Sequence, residues 1–259
     1  MTRRSRPVLC FAVVTVLGTS LAAQQPAPPA APGGQRAGGP GRGNPVPDDT
    51  AGFVSLFNGT TLSGWDGDPR YWRVEGGAIV GQSTPENRVE QNTFLVWRGG
   101  RVRDFELKID FRINGTNSGV QYRSVDLPDV GKWVMSGYQA DMDFANQFTG
   151  NIHNERGARF FLSQRGNVVR GVDGGGRKQI GTIGDPDALK AAIKVNDWNT
   201  YHIIARGRTI LQLVNGRLTS VFIDEDATNF VAEGLLGLQM HVGDPFKVEY
   251  KNIWLKQLK

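Results

Sequence analysis

The chain has 259 residues, with 30 Lys and Arg against 25 Asp and Glu, a formal net charge of +5 and a single cysteine, Cys10. Three of the positive charges, Arg3, Arg4 and Arg6, stand at the N-terminus, so the remainder carries an excess of only two, with no Lys/Arg block to hold nucleic acid or an anionic membrane. Beyond Cys10 the chain can form no disulfide, no thiolate metal site and no cysteine nucleophile.

The first element follows those arginines. Val8 to Leu17 is an apolar run, and Ser20-Leu21-Ala22-Ala23 supplies small residues after it. Basic, apolar, small is the order of a secretory leader, and the run falls short of the ~20 residues that a stable transmembrane anchor needs. Residues 1–23 are therefore expected to be a cleaved signal peptide, which places the remainder in the periplasm or outside the cell. Residues 24–50 are Pro, Gly and Ala with almost nothing to bury, and read as a flexible linker.

After Thr50 the texture changes, and residues 51–259 are expected to form one β-rich domain. Short runs rich in β-branched and aromatic residues alternate with Gly, Asn, Asp and Pro. Strands are predicted at Phe53–Phe57, Trp72–Glu75, Ala78–Gly81, Thr93–Trp97, Asp104–Ile113, Ser118–Arg123, Gly137–Asp143 and Ala158–Ser163. They continue at Asn167–Val172, Thr200–Arg206, Ile210–Val214, Arg217–Asp224, Gly234–Met240 and Lys247–Lys256. From Phe105 to Ile113 every odd position is apolar and every even one charged, which means one buried and one wet face. Asn215-Gly216 is a two-residue hairpin signal. One helix is expected over Pro186–Lys194, with Asp185 as its cap and Pro186 at its first position. Many short strands and one short helix point to an all-β, two-sheet antiparallel sandwich or jelly roll, with nothing to suggest a parallel pairing.

Phosphate loops, dinucleotide fingerprints, zinc-protease and serine-hydrolase motifs are absent. Three polar clusters remain. Asn117, Ser118, Gln121 and Arg123 open a strand, with Arg123 expected on the side of Gln121; they form either a solvated face or a hydrogen-bonding platform for hydroxyls. Gln139, Asp141 and Asp143 share one face of the next strand. If exposed this is ordinary; on a concave face, neighbouring carboxylates favour a cation or a raised pKa. The third cluster is His153, Glu155 and Arg156 in a Gly-bounded polar segment, either a loop or an acid–base pair. His241 follows an apolar strand and shares a face with Gln239, whereas His202 sits within a strand that looks buried and reads as structural.

Phe57-Asn58-Gly59, Leu62-Ser63-Gly64-Trp65, Trp72-Arg73-Val74-Glu75-Gly76-Gly77 and Asn117-Ser118-Gly119-Val120 occur in that order. Trp198-Asn199-Thr200, Asn215-Gly216, Gly237-Leu238-Gln239 and Asn252-Ile253 follow. This series, from about residue 53 to the C-terminus, resembles the 3-keto-disaccharide hydrolase domain family. The resemblance implies a concanavalin A-like jelly-roll β-sandwich, export and a carbohydrate substrate. It implies action on glycosides whose C3 hydroxyl is already a ketone, by C2 proton abstraction, β-elimination and water addition. Relatives often carry an acidic residue two positions before the Gln of the central strand and an Asp three after it; here Gly137 stands first, and the acids are Asp141 and Asp143. The expected site has His153, Asp141, Glu155 and His241 in catalytic or metal-ligating roles. Asn117, Ser118, Arg123, Gln139, Arg156 and Gln239 bind substrate. A divalent cation is the candidate cofactor. The rival reading is a non-catalytic glycan-binding module using Trp65, Trp72 and Trp133.

Overall fold

The computed structural model describes residues 51–259; the expected leader and linker, 1–23 and 24–50, lie outside them. In chain order the strands are β1 (Val54–Ser55), β2 (Trp65–Asp66), β3 (Trp72–Glu75), β4 (Ala78–Gln82), β5 (Thr93–Val102), β6 (Phe105–Asn114), β7 (Asn117–Asp126), β8 (Met135–Asp143) and β9 (Ile152–Glu155). Then come β10 (Phe161–Ser163), β11 (Asn167–Val172), β12 (Gly176–Thr182), helix α1 (Pro186–Ala191), β13 (Asn199–Arg206), β14 (Thr209–Val214), β15 (Arg217–Asp224), β16 (Gly234–Met240) and β17 (Lys247–Gln257). The larger sheet runs β12-β11-β15-β14-β13-β6-β17-β4-β3, with β1 beside β17. The smaller runs β10-β9-β8-β7-β16-β5-β2. The two sheets make a jelly-roll β-sandwich.

Alternation builds the core. On β6, Phe105, Leu107, Ile109, Phe111 and Ile113 are buried, while Glu106, Lys108, Asp110 and Arg112 are half-exposed. Each buried side chain of that size contributes about 1.5–3 kcal/mol. The smaller sheet answers with Val120 and Tyr122 on β7, Tyr138, Ala140 and Met142 on β8, and Ile152 on β9. Polar ties cross the core as well. Gln212 Nε2 donates to Tyr122 Oη at 3.0 Å, and Ser118 Oγ lies 2.7 Å from Tyr250 Oη. Tyr201 of the larger sheet donates to the Asp141 carbonyl and accepts from Gly150 N at 2.6 Å, so it pins the end of β8 from below.

The turns follow local chemistry. Asn215 and Gly216, at φ 50° and 76°, join β14 to β15 with the primed geometry that matches strand twist. Asp185 accepts from Asp187 N at 2.9 Å and starts α1, which ends at Ala191, earlier than predicted. Three expectations need correction. The Gly-bounded segment around His153 is not a loop but strand β9, because Ile152 is a core residue and its neighbours pair with β8. The residues after the Gly174-Gly175 turn form a further strand, β12. And β11 pairs with β15 in parallel, since the chain passes from the end of the smaller sheet directly onto the larger one. No helix among the described residues is long and apolar enough to cross a membrane.

Candidate functional site

β7 and β8 differ from β6 in having both faces buried. Even-numbered residues such as Val120, Ala140 and Ile152 enter the core; odd-numbered ones look out from the smaller sheet. Register then assembles a floor. Gln121 lies opposite Gln139, and Gln139 opposite His153, so one row crosses β7, β8 and β9. Asp141 stands in the next row opposite Gly119, and Glu155 opposite Gly137. Both glycines are steric necessities. A Cβ on Gly119 would lie 2.4 Å from Gln139 Cδ, and one on Gly137 2.2 Å from Ser124 Oγ.

Hydrogen bonds lock this floor into a chain of amides ending on carboxylates. Ser124 Oγ donates to Gln121 Oε1, Gln121 Nε2 to Gln139 Oε1 at 2.8 Å, and Gln139 Nε2 to Asp141 Oδ1 at 2.8 Å. Gln239, reaching across from β16, donates to Glu155 Oε2 at 3.1 Å. Asn92 Nδ2 donates to the other oxygen, Oε1, at 3.0 Å, and Asn92 Oδ1 accepts from Val242 N at 2.9 Å. Glu155 is thus gripped from two sides. His153 Nε2 lies 3.9 Å from Glu155 Oε2, and Arg156 Nε 3.9 Å from Oε1, close enough for electrostatic coupling but too long for hydrogen bonds. Arg156 itself sits at φ 52° in the turn after β9.

Burial sets the charge states. Asp141 is 4 % exposed. Its burial holds the carboxyl well above the usual carboxylate range; the Gln139 amide opposes this, and the charges of Glu155 and Asp143 add to it. Burial also lowers His153 to about 4, with the nearby His241 adding to the drop and the Phe160 carbonyl opposing it. Its Nδ1 is buried without a hydrogen bond of normal geometry. The floor therefore sets an imidazole that stays neutral near neutral pH beside a carboxyl whose burial favours its protonated form.

Above the floor opens a cavity of about 510 Å³, within the range of small-molecule sites. Phe148, Phe160 and Phe161 form its wall, and Asn92, Asn117, Arg156 and His241 reach its margin. Phe160 meets the His153 ring edge-on at 4.7 Å and Phe161 at 4.6 Å, yet remains 64 % exposed. An aromatic face beside a polar floor suits a sugar ring, with its apolar C–H face and hydroxyl rim.

A family model described as the 3-keto-α-glucoside-1,2-lyase-like domain matches residues 52–256. The chain belongs to this family. Two candidate glycosyl hydrolases from Parabacteroides distasonis share its fold, each at 18% identity and a TM-score of 0.53. They cover 81% and 80% of this chain, and 95% and 99% of their own chains are matched. A carbohydrate-binding module from Bacillus subtilis is 18% identical over 76% of this chain and 97% of its own, with a TM-score of 0.48. No match is found among curated proteins.

In this lyase-like domain, Asn117, Gln139, Asp141, His153, Glu155, Arg156 and His241 all line the one cavity. Gln239 lies just behind, fully buried, where it holds Glu155 instead of facing a substrate. Two expected substrate-binding residues are elsewhere. Ser118 has core parity and donates to the Gln239 carbonyl at 2.6 Å. Arg123 was expected beside Gln121, but the register shift between Tyr122 and Val125 turns it away. At φ 45° it is buried and donates to the carbonyls of Arg103 and Gly207, at 2.6 and 2.8 Å, and to Asp104. His202 is half-exposed, not buried, and pairs with Glu106 at 3.0 Å. Of the tryptophans offered for glycan stacking, Trp65 and Trp72 are buried, and Trp133 is tied to Asp66 at 2.7 Å. The aromatic wall and Asn92 escape a sequence reading, because Phe160 and Phe161 look like ordinary strand residues, and Phe148 and Asn92 like loop filler, until the strands and loops are placed.

The divalent-cation expectation does not fit this floor. Among the described residues no three His, Cys, Asp or Glu side chains are grouped to hold a metal. Asp143 accepts from the backbone N–H groups of Gln147, Phe148 and Thr149, which fixes the loop instead of pairing with Asp141. Both oxygens of Glu155 already accept from amides, and burial favours the protonated form of Asp141.

Proposed function

We propose that this domain is a carbohydrate-active lyase and hydrolase that cleaves 3-keto-glycosides. The C3 ketone acidifies the proton at C2. Neutral His153 takes that proton, and the electron pair moves onto the C3 oxygen as an enolate. The pair then returns to form C1=C2, the C1–O bond breaks, and the departing oxygen takes a proton from Asp141. Water then adds across C1=C2: its hydroxyl goes to C1 and its proton to Asp141, while His153 returns its proton to C2, giving the free 3-keto sugar beside the aglycone and resetting both groups. Glu155 orients the His153 ring, Arg156 faces the enolate charge, and Asn117 and His241 meet hydroxyls.

One observation carries the reading: His153, its imidazole kept neutral by burial, and Asp141, whose burial favours the protonated carboxyl, stand on the same floor, His153 opposite Gln139 and Asp141 two residues along from it. Two titratable groups pushed in opposite directions are how one site performs acid and base chemistry at one pH. Family membership supports the substrate class. The test is release of aglycone from a 3-keto-glucoside by the purified protein, compared with the unoxidised glucoside. Turnover of the ketone alone is expected; equal turnover of both, or of neither, removes the proposal.

Exposed Phe160 favours a second reading, capture of glycans without turnover. Binding of the unoxidised glycoside with no product from the keto form would select it. The leader-like N-terminus supports export to the periplasm or beyond, and fractionation of the producing cell tests that.

A further inference from the structure

The turn between β9 and β10 carries the edge of the aromatic wall, and it has little packing of its own. Arg156, Gly157, Ala158 and Phe160 are all exposed, whereas Arg159 among them is only 2 % exposed. The one side chain that this turn sends inward is a charged one, a residue type that is almost never fully buried unless paired. Arg159 crosses from the edge of the smaller sheet to the end of β15 on the larger, where it meets Asp224, itself wholly buried. The contact is bidentate: Nη1 donates to Oδ1 at 2.7 Å and Nη2 to Oδ2 at 2.8 Å. Nη2 also donates to the Asn229 carbonyl at 3.0 Å.

Asp224 is held in place independently of the arginine. Its Oδ2 accepts from Tyr138 Oη at 2.5 Å, and its carbonyl accepts from Arg208 Nη1 at 2.7 Å. Gly171 on β11 leaves room for the pair: a Cβ there would stand 2.9 Å from Asp224 Oδ1 and 3.4 Å from Arg159 Nη1. Stability alone does not account for this arrangement. Taking two charges out of water offsets much of their attraction, and apolar side chains of similar volume often serve a fold as well. Arg159 Nε is, moreover, buried without a hydrogen bond.

What the pair does fix is the backbone around Phe160. The Phe160 carbonyl accepts from Asn154 N at 2.9 Å and Phe161 begins β10, so the sheet holds the chain on one side of Phe160. Arg159 holds it on the other, with its own N–H reaching Asn154 Oδ1 at 3.4 Å. The rotamers open to a side chain follow the backbone dihedrals on both sides of its Cα. The exposed Phe160 ring is thereby directed over the cavity, which Arg159 itself does not line. We propose that Arg159 is a positioning residue for the substrate: clamped to Asp224, it aims Phe160 at the sugar ring without touching the sugar. This rests on the glycoside reading of the cavity.

The experiment is a mutant cycle on a 3-keto-glucoside. Arg159→Met/Asp224→Asn removes both charges and leaves Tyr138 an acceptor; Phe160→Ala removes the ring; a third variant combines them. The first two are each expected to raise KM several-fold with kcat retained. The combination should raise KM no further than Phe160→Ala alone, because the clamp has nothing to aim once the ring is gone. An unchanged KM or a lowered kcat in the charge-pair variant, or KM rises that multiply in the combination, overturns the proposal. If the charge-pair variant does not fold, Arg159→Lys replaces it, since lysine keeps the charge and loses the fork. A several-fold rise in KM that Phe160→Ala absorbs is again expected, and a native KM overturns the role. If the native protein turns over no keto-glucoside, the catalytic reading falls, and the cycle is read on Kd for the unoxidised glucoside by calorimetry. Weakened binding that does not add to the Phe160→Ala loss then sustains the role of Arg159; independent losses, or no binding by the native protein, end it.

Discussion

β6 and β8 look alike in sequence and do opposite things. Both alternate apolar with polar residues. On β6 the polar set, Glu106, Lys108, Asp110 and Arg112, is half-exposed, and its partners are side chains on the same outer face, such as His202 and Glu249. On β8 the polar set, Gln139 and Asp141, is as buried as the core residues between them. The difference is what covers each face. Solvent covers β6, whereas β9, the aromatic wall and Gln239 crowd β8. A polar face that is buried and still fully hydrogen-bonded marks a place where the fold keeps polar groups for use, since leaving such groups unpaired there costs about 1–3 kcal/mol each.

The sharpest way to break this comparison is to remove one histidine from each face. His153→Ala is expected to lower kcat on a 3-keto-glucoside by about 10²–10⁴-fold, the usual contribution of a positioned base. His202→Ala, beside β6, should leave kcat unchanged. Equal losses in the two variants would show that the faces do not differ in function.

The pH dependence comes next. His153 titrates at about 4 in the folded chain, below the ordinary histidine value of 6.5. The unfolded chain therefore binds more protons between those values, so stability from this residue is complete above 6.5 and is lost as pH falls towards 4. Denaturant midpoints measured across that window should flatten in His153→Gln. Asp141 has the opposite sign. Its raised pKa favours the fold below the ordinary carboxylate value, an advantage lost as pH rises through the folded value. Turnover should persist in acid well below 6.5; an acid limb near 6.5 would assign the base elsewhere.

Gln139→Leu should destabilise the protein by about 1–3 kcal/mol, because it strands the amide of Gln121 and removes the donor to Asp141. Urea unfolding at constant m-value measures this. Phe160→Ala should cost about 0.5–1.5 kcal/mol of sugar binding, read as a several-fold rise in KM with kcat retained. The smallest effect belongs to β6. Glu106→Gln loses only a half-exposed pair, and its unfolding midpoint should move by no more than about 1 kcal/mol.

Much of this was legible without coordinates. The alternation of Phe105–Ile113, the Asn215-Gly216 turn and the Asp185-Pro186 helix start are local signals, and the fold uses each of them. Family motifs spread along the chain pointed to the same sandwich. Among candidate site residues, the sequence could pick out His153, Asp141 and Glu155 as unusual neighbours, but it placed Arg123 beside them by simple alternation. One bulge undid that placement, and no local pattern announces a bulge that exists only because two strands pair out of step.

The sequence by itself determined which residues alternate, where the turns fall and which side chains can carry acid–base chemistry, because those properties reside in each residue and its immediate neighbours. Tertiary structure alone decided which polar face is buried, that Gly119 makes room for Gln139, and that Phe160 and Asn92 stand at the site. Those outcomes depend on register between strands far apart in the chain. Period-two alternation says which side a residue is on; only the packed sheets say what lies there.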